Sequence, residues 1–337
     1  MLAVASLADL DRHVTRARHP ETQARLSAAV GGVLDAGLAD AIVPVKVSAA
    51  TVDDAARVHS RTYLDHLQAF CQAGGGQIDP DTDASIGSWD TAVLAAGAGL
   101  STIAALDRQE ALAGLVLVRP PGHHALVDRS MGFCLLNNIA VSAAALTARG
   151  ERVLIVDWDV HHGNGTQAMF WDDPDVLFVS SQLDDHWPFS GRVNETGGPG
   201  APGRTINLPL PHGATGDVLL RAFDVVVAPV AEEFKPTWVL VSAGFDSHRD
   251  DPLGGLGFSA GDFARFASRL RGFAPAESRM VLFLEGGYDL PALRHSIGAT
   301  VNALLGGTKS FEPPTNGGPG EHVVRAAREA NKIARWG

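Results

Sequence analysis

Short apolar runs alternate with longer Ala-rich stretches along this chain. Each run has five or six residues and is apolar almost throughout, rather than at every second position. Continuous runs of this kind are typical of strands that are buried on both faces of a parallel sheet. The predicted strands cover residues 114–118, 152–156, 175–180, 237–242 and 280–285.

The Ala-rich stretches predict helices over residues 92–107, 136–149, 215–234, 259–273, 291–305 and, last in the chain, 322–334. Strands and helices that alternate in this way form repeated βα units, so the pattern favours a doubly wound α/β domain. No Pro/Ser linker or change of composition divides the chain, and we therefore expect a single domain. Two Gly- and Pro-rich segments, 194–203 and 312–322, are expected to be a surface loop and a loose connection.

Composition narrows the function classes. The 337 residues are 45% hydrophobic, enough for a sizeable core, and the net charge of −11 disfavours nucleic-acid binding. The two cysteines, Cys71 and Cys134, form no CxxC pair, which indicates a reducing compartment. The first residues lack the features of a signal peptide, and no stretch approaches the length of a membrane span. We therefore expect a cytoplasmic protein with neither a membrane nor a nucleic-acid partner.

Side chains capable of chemistry follow four of the five predicted strands. Ligands of open parallel sheets bind beyond the carboxyl ends of the strands, so these side chains are expected to share one edge. In chain order they are His123, His124, Asp157, Asp159, His161, Asp246 and Tyr288.

Three of these residues form a candidate metal site. Asp159 and His161 are two positions apart, so their side chains share a face of an extended segment, and Asp246 comes from another strand end. Three protein ligands with one open position are typical of catalytic zinc, although iron or cobalt accepts the same donors. Taken singly, each residue is better explained as a cap, a turn residue or a solvated side chain. Their joint placement at successive strand ends favours the site.

Five segments resemble the sequence blocks of the zinc-dependent histone deacetylase family, which includes acetylpolyamine amidohydrolases and acetoin-utilisation proteins. They are RPPGHHA, GFCLLNNIA, VDWDVHHGNGTQ, SAGFDSHRDDPLGG and LEGGYDL, in the family's order over about 119–290. The resemblance implies a single arginase-like, three-layer α/β domain over 1–337, with a mainly parallel eight-stranded sheet flanked by helices. Its motif-bearing core would span about 15–306, and 312–337 would form a C-terminal loop and helix.

The resemblance also implies roles for the strand-end residues. Asp159, His161 and Asp246 match the zinc ligands, and His123 and His124 match the tandem active-site histidines. The implied reaction is hydrolysis of an acetyl-lysine peptide, or of an acetylated small amine, by metal-activated water with a histidine general base.

Three further residues complete the implied machinery. Asp157 matches the carboxylate that orients the first histidine, and Tyr288 matches the catalytic tyrosine that stabilises the oxyanion. Asn164 matches the position that pairs with the second histidine, where many class I members carry Asp. An Asn at this position indicates the class II-like branch.

Substrate and potassium contacts follow from the same resemblance. The matching substrate-binding positions are Gly132, Phe133, Phe189, Leu253 and Gly286. Structural K⁺ would be held at Asp157 and Ser180 and, in a second site, at Phe170 and Val176, several of them through backbone carbonyls.

Alternatives remain at this point. Leu253 favours acyl-lysine over acetylpolyamine, yet loops 79–90 and 183–203 leave a small-molecule amidohydrolase open. A two-manganese ureohydrolase is disfavoured by the tandem histidines and the GGY segment, and a non-catalytic acyl-lysine binder by the complete residue set. The sequence does not decide whether the chain forms a homo-oligomer.

Overall fold

The computed structural model describes residues 1–274 and 279–336; residue 337, the last of the predicted C-terminal segment, lies outside them. The strands are β1 (Leu2–Ser6), β2 (Ile42–Pro44), β3 (Gly75–Gln77), β4 (Asp83–Ser85), β5 (Ala113–Leu117), β6 (Val153–Asp157), β7 (Val176–Leu183), β8 (Thr205–Leu210), β9 (Trp238–Ala243) and β10 (Met280–Leu284). Eight of them form one sheet in the order β2-β1-β5-β10-β9-β6-β7-β8, and β3 pairs with β4 in a separate antiparallel ribbon.

The eight-stranded sheet confirms the predicted fold class, and all its pairings are parallel. All five predicted strands are present, with small shifts of their ends. The register aligns Asp157 of β6 with Ser180 of β7 on one side and Ser242 of β9 on the other. The carboxyl ends of β6, β7 and β9 therefore meet at one edge, and β10 joins them beside β9.

The helices are α1 (Ala24–Asp35), α2 (Val52–Ala55), α3 (Arg61–Gln72), α4 (Ser88–Asp107), α5 (Asn138–Thr147), α6 (Asn164–Phe170), α7 (Gly216–Ala222), α8 (Ala228–Phe234), α9 (Ala260–Arg271), α10 (Leu290–Leu304) and α11 (Glu321–Trp336). A π-helical turn, Phe223–Val227, joins α7 to α8, so the predicted 215–234 helix is a single helical run with a local widening. α1 packs on α10 and α10 on α9, whereas α4 packs on α5.

The central strands of the sheet are fully buried. β5, β6, β9 and β10 are buried at every position, as their continuous apolar sequences require. α4 is long and apolar enough, with a mean hydropathy of 1.3, to pass for a membrane span, contrary to our expectation. About two-thirds of that window, 67%, is buried inside the domain, as in the core helix of an α/β fold.

Candidate active site

The strand ends bring the three predicted metal ligands together. Asp159 and His161 follow β6, and Asp246 follows the adjacent β9. The Nδ1 atom of His161 lies 3.1 Å from Oδ1 of Asp159 and 3.2 Å from Oδ2 of Asp246. One ligand atom from each residue lies within 4.8 Å of the other two, so the three side chains converge on one point.

The donor chemistry of this cluster fits a cation. Oδ2 of Asp246 is buried and lacks a partner in hydrogen-bond geometry, and Nδ1 of His161 carries at most one hydrogen for two facing carboxylates. Among the residues that the structure describes, no Lys or Arg forms an ion pair with Asp159 or Asp246. Buried carboxylates need compensation, and a metal ion would supply it.

The pKa values report the same demand for positive charge. Burial, followed by the charge of Asp159, raises the pKa of Asp246 to about 7. Burial alone would lower the pKa of His161, but Asp159 and Asp246 raise it to about 10. A field that shifts an imidazole this far favours a cation at this point.

A second acid–histidine group differs from the first. His248, Asp250 and Glu312 also lie close together. Glu312 already bonds Nε2 of His248 at 2.9 Å, Nη2 of Arg249 at 3.0 Å and the backbone N–H of Ala260 at 2.9 Å. Because its charge is compensated within the chain, this group does not require a metal.

The tandem histidines follow β5 and have different partners. His123 bonds through Nδ1 to Oδ2 of Asp157 at 2.9 Å, and His124 bonds through Nδ1 to Oδ1 of Asn164 at 2.7 Å. Asp157 and Asp159 raise the pKa of His123 to about 10 against the effect of burial. Burial, with the neighbouring His123 and His161, lowers the pKa of His124 well below its usual value.

A buried glutamate that the sequence reasoning missed supports the tandem-histidine loop. Oε2 of Glu285 accepts hydrogen bonds from the backbone N–H groups of Gly122 at 2.7 Å and His123 at 3.2 Å. Its position in the LEGGYDL segment, directly after β10, is the sequence signal that could have identified it.

A cavity of about 340 Å³ opens beside the candidate ligands. It is lined by Asp81, His124, Gly132, Phe133, His161, His186, Trp187, Pro252, Leu253, Gly254 and Tyr288. The ring of Tyr288 stands edge-on to Phe133, with centroids 5.8 Å apart, and the guanidinium of Arg25 lies 5.0 Å from the Tyr288 centroid. A larger surface depression, about 660 Å³ beside Arg57 and Asp175, lies apart from these residues.

Two predicted substrate positions lie elsewhere. Phe189 is 69% exposed and does not line the cavity, whereas Trp187, two positions earlier, does. Between and around them the chain turns, with positive φ at Asp185 and Phe189. Trp187 stands edge-on to His124 at 4.7 Å. Gly286 contacts the candidate ligands rather than the cavity: its N–H bonds Asp159 at 2.8 Å, and a Cβ there would lie 1.9 Å from Oδ2 of Asp246.

The other predicted substrate positions, Gly132, Phe133 and Leu253, line the cavity. Gly132 has a φ of +57° and lies so close to its neighbours that a Cβ would be 2.4 Å from Trp187 and 2.6 Å from His124. Only glycine fits this position without displacing a wall of the cavity.

The predicted potassium positions lie close together in two pairs. Asp157 and Ser180 are register partners, and Oγ of Ser180 is buried without a hydrogen-bond partner. Phe170 and Val176 meet through Asp173, whose N–H bonds the carbonyl of Phe170 at 3.2 Å and whose carbonyl accepts from Val176 at 3.3 Å. Potassium binding at these residues stays a prediction.

Comparison with known proteins identifies the family of this chain. The sequence model of the histone deacetylase domain matches residues 19–304. Histone deacetylase 10, chloroplastic, of Oryza sativa subsp. japonica is 41% identical over 310 residues, which cover 86% of this chain and 70% of that protein. The histone deacetylase-like amidohydrolase of Pseudomonas aeruginosa is 38% identical over 280 residues, covering 81% of this chain and 72% of that protein.

Structural similarity extends over almost the whole chain. The crystal structure of the HDA15 HD domain matches with a TM-score of 0.88 and 33% sequence identity, covering 99% of this chain and 94% of that one. The similarity therefore includes the sheet and the loops that carry the candidate site.

Proposed function

The chain belongs to the histone deacetylase family, and on this premise we propose that it is a zinc-dependent deacetylase that hydrolyses N-acetyl-lysine or a related N-acyl amine. The reaction consumes one water molecule and yields a free amine and a carboxylate. One observation carries the proposal: the convergence of Asp159, His161 and Asp246 beside a cavity that His124 and Tyr288 also line.

Asp159, His161 and Asp246 would hold the metal, with His161 binding through Nδ1, the atom that faces both carboxylates. When bound, the ion supplies Lewis acidity, which polarises the substrate carbonyl and lowers the pKa of water to about 7. The nitrogen and oxygen donors suit zinc, and iron(II) or cobalt(II) accepts the same set.

His124 is the proposed general base. The amide oxygen of Asn164 can only accept, so Nδ1 of His124 carries the hydrogen and Nε2 keeps a free lone pair. Nε2 takes a proton from the attacking water and then gives a proton to the leaving amine. A positioned proton transfer of this kind contributes typically about 10²–10⁴ in rate. His123, bonded to Asp157, supports the site with positive charge.

Tyr288 is the proposed hydroxyl donor to the oxyanion that develops on the substrate. Its test is Tyr288→Phe in zinc-loaded protein, assayed on a fluorogenic acetyl-lysine peptide. We expect kcat to fall by about 10²–10³, the usual result of removing one such donor, with the zinc content unchanged.

The chain offers a matched control in Tyr63, its other tyrosine. The Tyr63 hydroxyl bonds Oγ of Ser130 at 2.6 Å, and it does not line the cavity. Tyr63→Phe removes the same atom and should lower stability while kcat is retained. A wild-type rate for Tyr288→Phe at full zinc occupancy would contradict the assignment of Tyr288.

A second candidate function is deacetylation of a small amine, and Asp81 favours it. This half-buried carboxylate lines the cavity, and within the described residues it has no Lys or Arg ion-pair partner. Burial, followed by Asp79, raises its pKa. A carboxylate at this position would attract an ammonium group, whereas the apolar Leu253 favours a neutral peptide.

Acetylputrescine and acetylspermidine, assayed beside the peptide, separate the two functions. Turnover of the peptide that Asp159→Ala abolishes would establish a lysine deacetylase. Turnover of the polyamines alone, weakened by Asp81→Asn, would assign the chain to small-molecule metabolism.

A further inference from the structure

One buried carboxylate outside the candidate ligand set joins two loops at the cavity. Asp251, in the segment between β9 and α9, is only 8% exposed. Its Oδ2 atom accepts backbone hydrogen bonds from Tyr288 at 2.6 Å and Asp289 at 3.0 Å, and its Oδ1 atom accepts one from Leu253 at 3.0 Å. No Lys or Arg in the described chain pairs with Asp251, so its hydrogen-bonding capacity is directed to backbone groups.

Both loops carry residues that line the cavity. Leu253 lies in one, and Tyr288 follows two glycines in the other, where Gly287 has a φ of +120°. A Gly-Gly turn imposes little order of its own, so the position of Tyr288 depends on contacts from outside the turn.

The opposite side of the same turn is held by an arginine. Nε of Arg25 donates to the carbonyl of Gly287 at 2.7 Å, and its guanidinium packs on the Tyr288 ring. Arg25 binds the carbonyl of the turn, and Asp251 binds the N–H groups of the two residues that follow Gly287. It also secures Asp289, whose side chain caps α10 by accepting the N–H of Ala292 at 2.8 Å. Bonds from N–H groups to a carboxylate are among the stronger hydrogen bonds in proteins.

We infer that Asp251 is a positioning residue that fixes the Tyr288 hydroxyl relative to the cavity and ties it to the Leu253 wall. The inference rests on the proposed function of Tyr288 as the oxyanion donor. Such donors act because they are already in place when charge develops, and a shift of about 1 Å can cost about 10²-fold in rate.

Asp251→Asn is the direct test. An amide has one acceptor oxygen, so its NH₂ group must face either the Leu253 N–H or the Tyr288 pair, and one of the loops is released. We expect kcat to fall by about 10-fold to 100-fold with unchanged zinc content. Asp250→Asn is the matched control: it removes the same charge one position away, on a side chain that is 62% exposed. Asp251→Glu retains the charge but displaces it, and it takes the place of Asp251→Asn if that protein does not fold.

A double-mutant cycle with Tyr288→Phe separates positioning from a general structural role. If Asp251 acts through the Tyr288 hydroxyl, Asp251→Asn should cost little additional kcat once that hydroxyl is absent. Equal losses in both backgrounds would overturn the inference, as would an unchanged kcat in Asp251→Asn. Tyr288→Phe at the wild-type rate would instead overturn the proposed function.

Amide hydrogen exchange gives a readout that needs no turnover. In Asp251→Asn, the amides of Tyr288 and Asp289, or that of Leu253, should exchange faster than in wild type, and Asp250→Asn should match wild type. Unchanged protection at all three amides would show that Asp251 does not hold the two loops, and this result would overturn the inference.

Discussion

Two buried charge clusters in this domain differ in how their negative charge is compensated. The first, the ligand cluster, contains Asp159, Asp246 and His161 at the carboxyl edge of the sheet. The second, the arginine cluster, contains Glu21, Asp11, Arg119 and Arg25. Arg119 bonds both oxygens of Glu21, each at 2.5 Å, and Arg25 bonds Glu21 at 2.9 Å.

The pKa values show what the difference means. Glu21 and Asp246 are both completely buried, and burial raises the pKa of each. Arg119 and Arg25 reverse the effect at Glu21 and lower its pKa to about 2, whereas Asp246 lacks such a partner and its pKa rises to about 7. Equal burial thus gives a cluster whose charge is compensated within the chain in one case and a candidate metal site in the other.

Metal removal should have the largest effect on this contrast. After chelation, turnover should be lost, and saturating zinc should restore it. Zinc at 1,000 times its Kd would also stabilise the fold by about 4 kcal/mol, because it binds only the native state. Denaturant unfolding with and without zinc measures this increment.

The control for metal removal is Asp246→Asn, which takes one ligand from the cluster. Zinc should neither stabilise this variant to the same extent nor restore its turnover. Full turnover of wild type after verified metal removal would refute the metal assignment.

Glu21→Gln should break the arginine cluster. It leaves Arg119 and Arg25 buried with too little negative charge, which typically costs about 3–5 kcal/mol of unfolding free energy. Because Arg25 also holds the Tyr288 turn, some activity should be lost, but zinc content should be retained.

A matched control for Glu21→Gln is Glu110→Gln, which removes the same charge from an exposed pair with Arg108. That variant should unfold like wild type, since exposed pairs contribute little. If Glu21→Gln also unfolded like wild type, the arginine cluster would not be a stabilising element.

The sequence predicted best where the polypeptide is most regular. β5, β6, β9 and β10 were identified because both of their faces are buried and their apolar runs are unbroken. β1, β2 and β8 were not identified individually. Their sequences, LAVAS, IVP and TINLPL, are small, short or interrupted by polar residues and proline. Only the family resemblance implied that the sheet has eight strands.

The same difference between regular and irregular segments decides which residues of the candidate site could be predicted. Residues that directly follow predicted strands could be assigned to one edge, because parallel strands end together. The loop that carries Trp187 and Phe189 could not be assigned, because it has no regular hydrophobic pattern that shows which side chains face the cavity. Trp187 and Phe189 are two positions apart, and only the backbone turn distinguishes them. Asp251 and the Glu21–Arg119 pair depend on contacts between segments distant in sequence, for which a single chain gives no local signal.

Acid titration should give the smallest change in unfolding free energy, and it tests the arginine cluster most directly. The pKa of Glu21 is about 2 in the folded chain against an ordinary value of 4.5. A lowered carboxyl pKa stabilises the fold above pH 4.5, and the contribution is lost as the pH falls toward 2. The shift corresponds to a contribution on the order of 3 kcal/mol, at about 1.4 kcal/mol for each unit of pKa.

Other groups titrate in the same range, since burial lowers the pKa of His13 and His59 to about 4 and the candidate metal ligands also bind protons. The informative quantity is therefore the difference in unfolding free energy between wild type and Glu21→Gln, both loaded with zinc. Groups that do not interact with Glu21, such as His59, contribute equally to both proteins and cancel, whereas the charge of Glu21 raises the pKa of His13, so the titration of His13 belongs to the difference. The difference should be largest above pH 5 and should shrink as the pH falls toward 2, because wild type then loses the charge that the variant never had. A difference that stays constant over this interval would mean that Arg119 and Arg25 do not hold Glu21 ionised, and the contrast between the two clusters would fail.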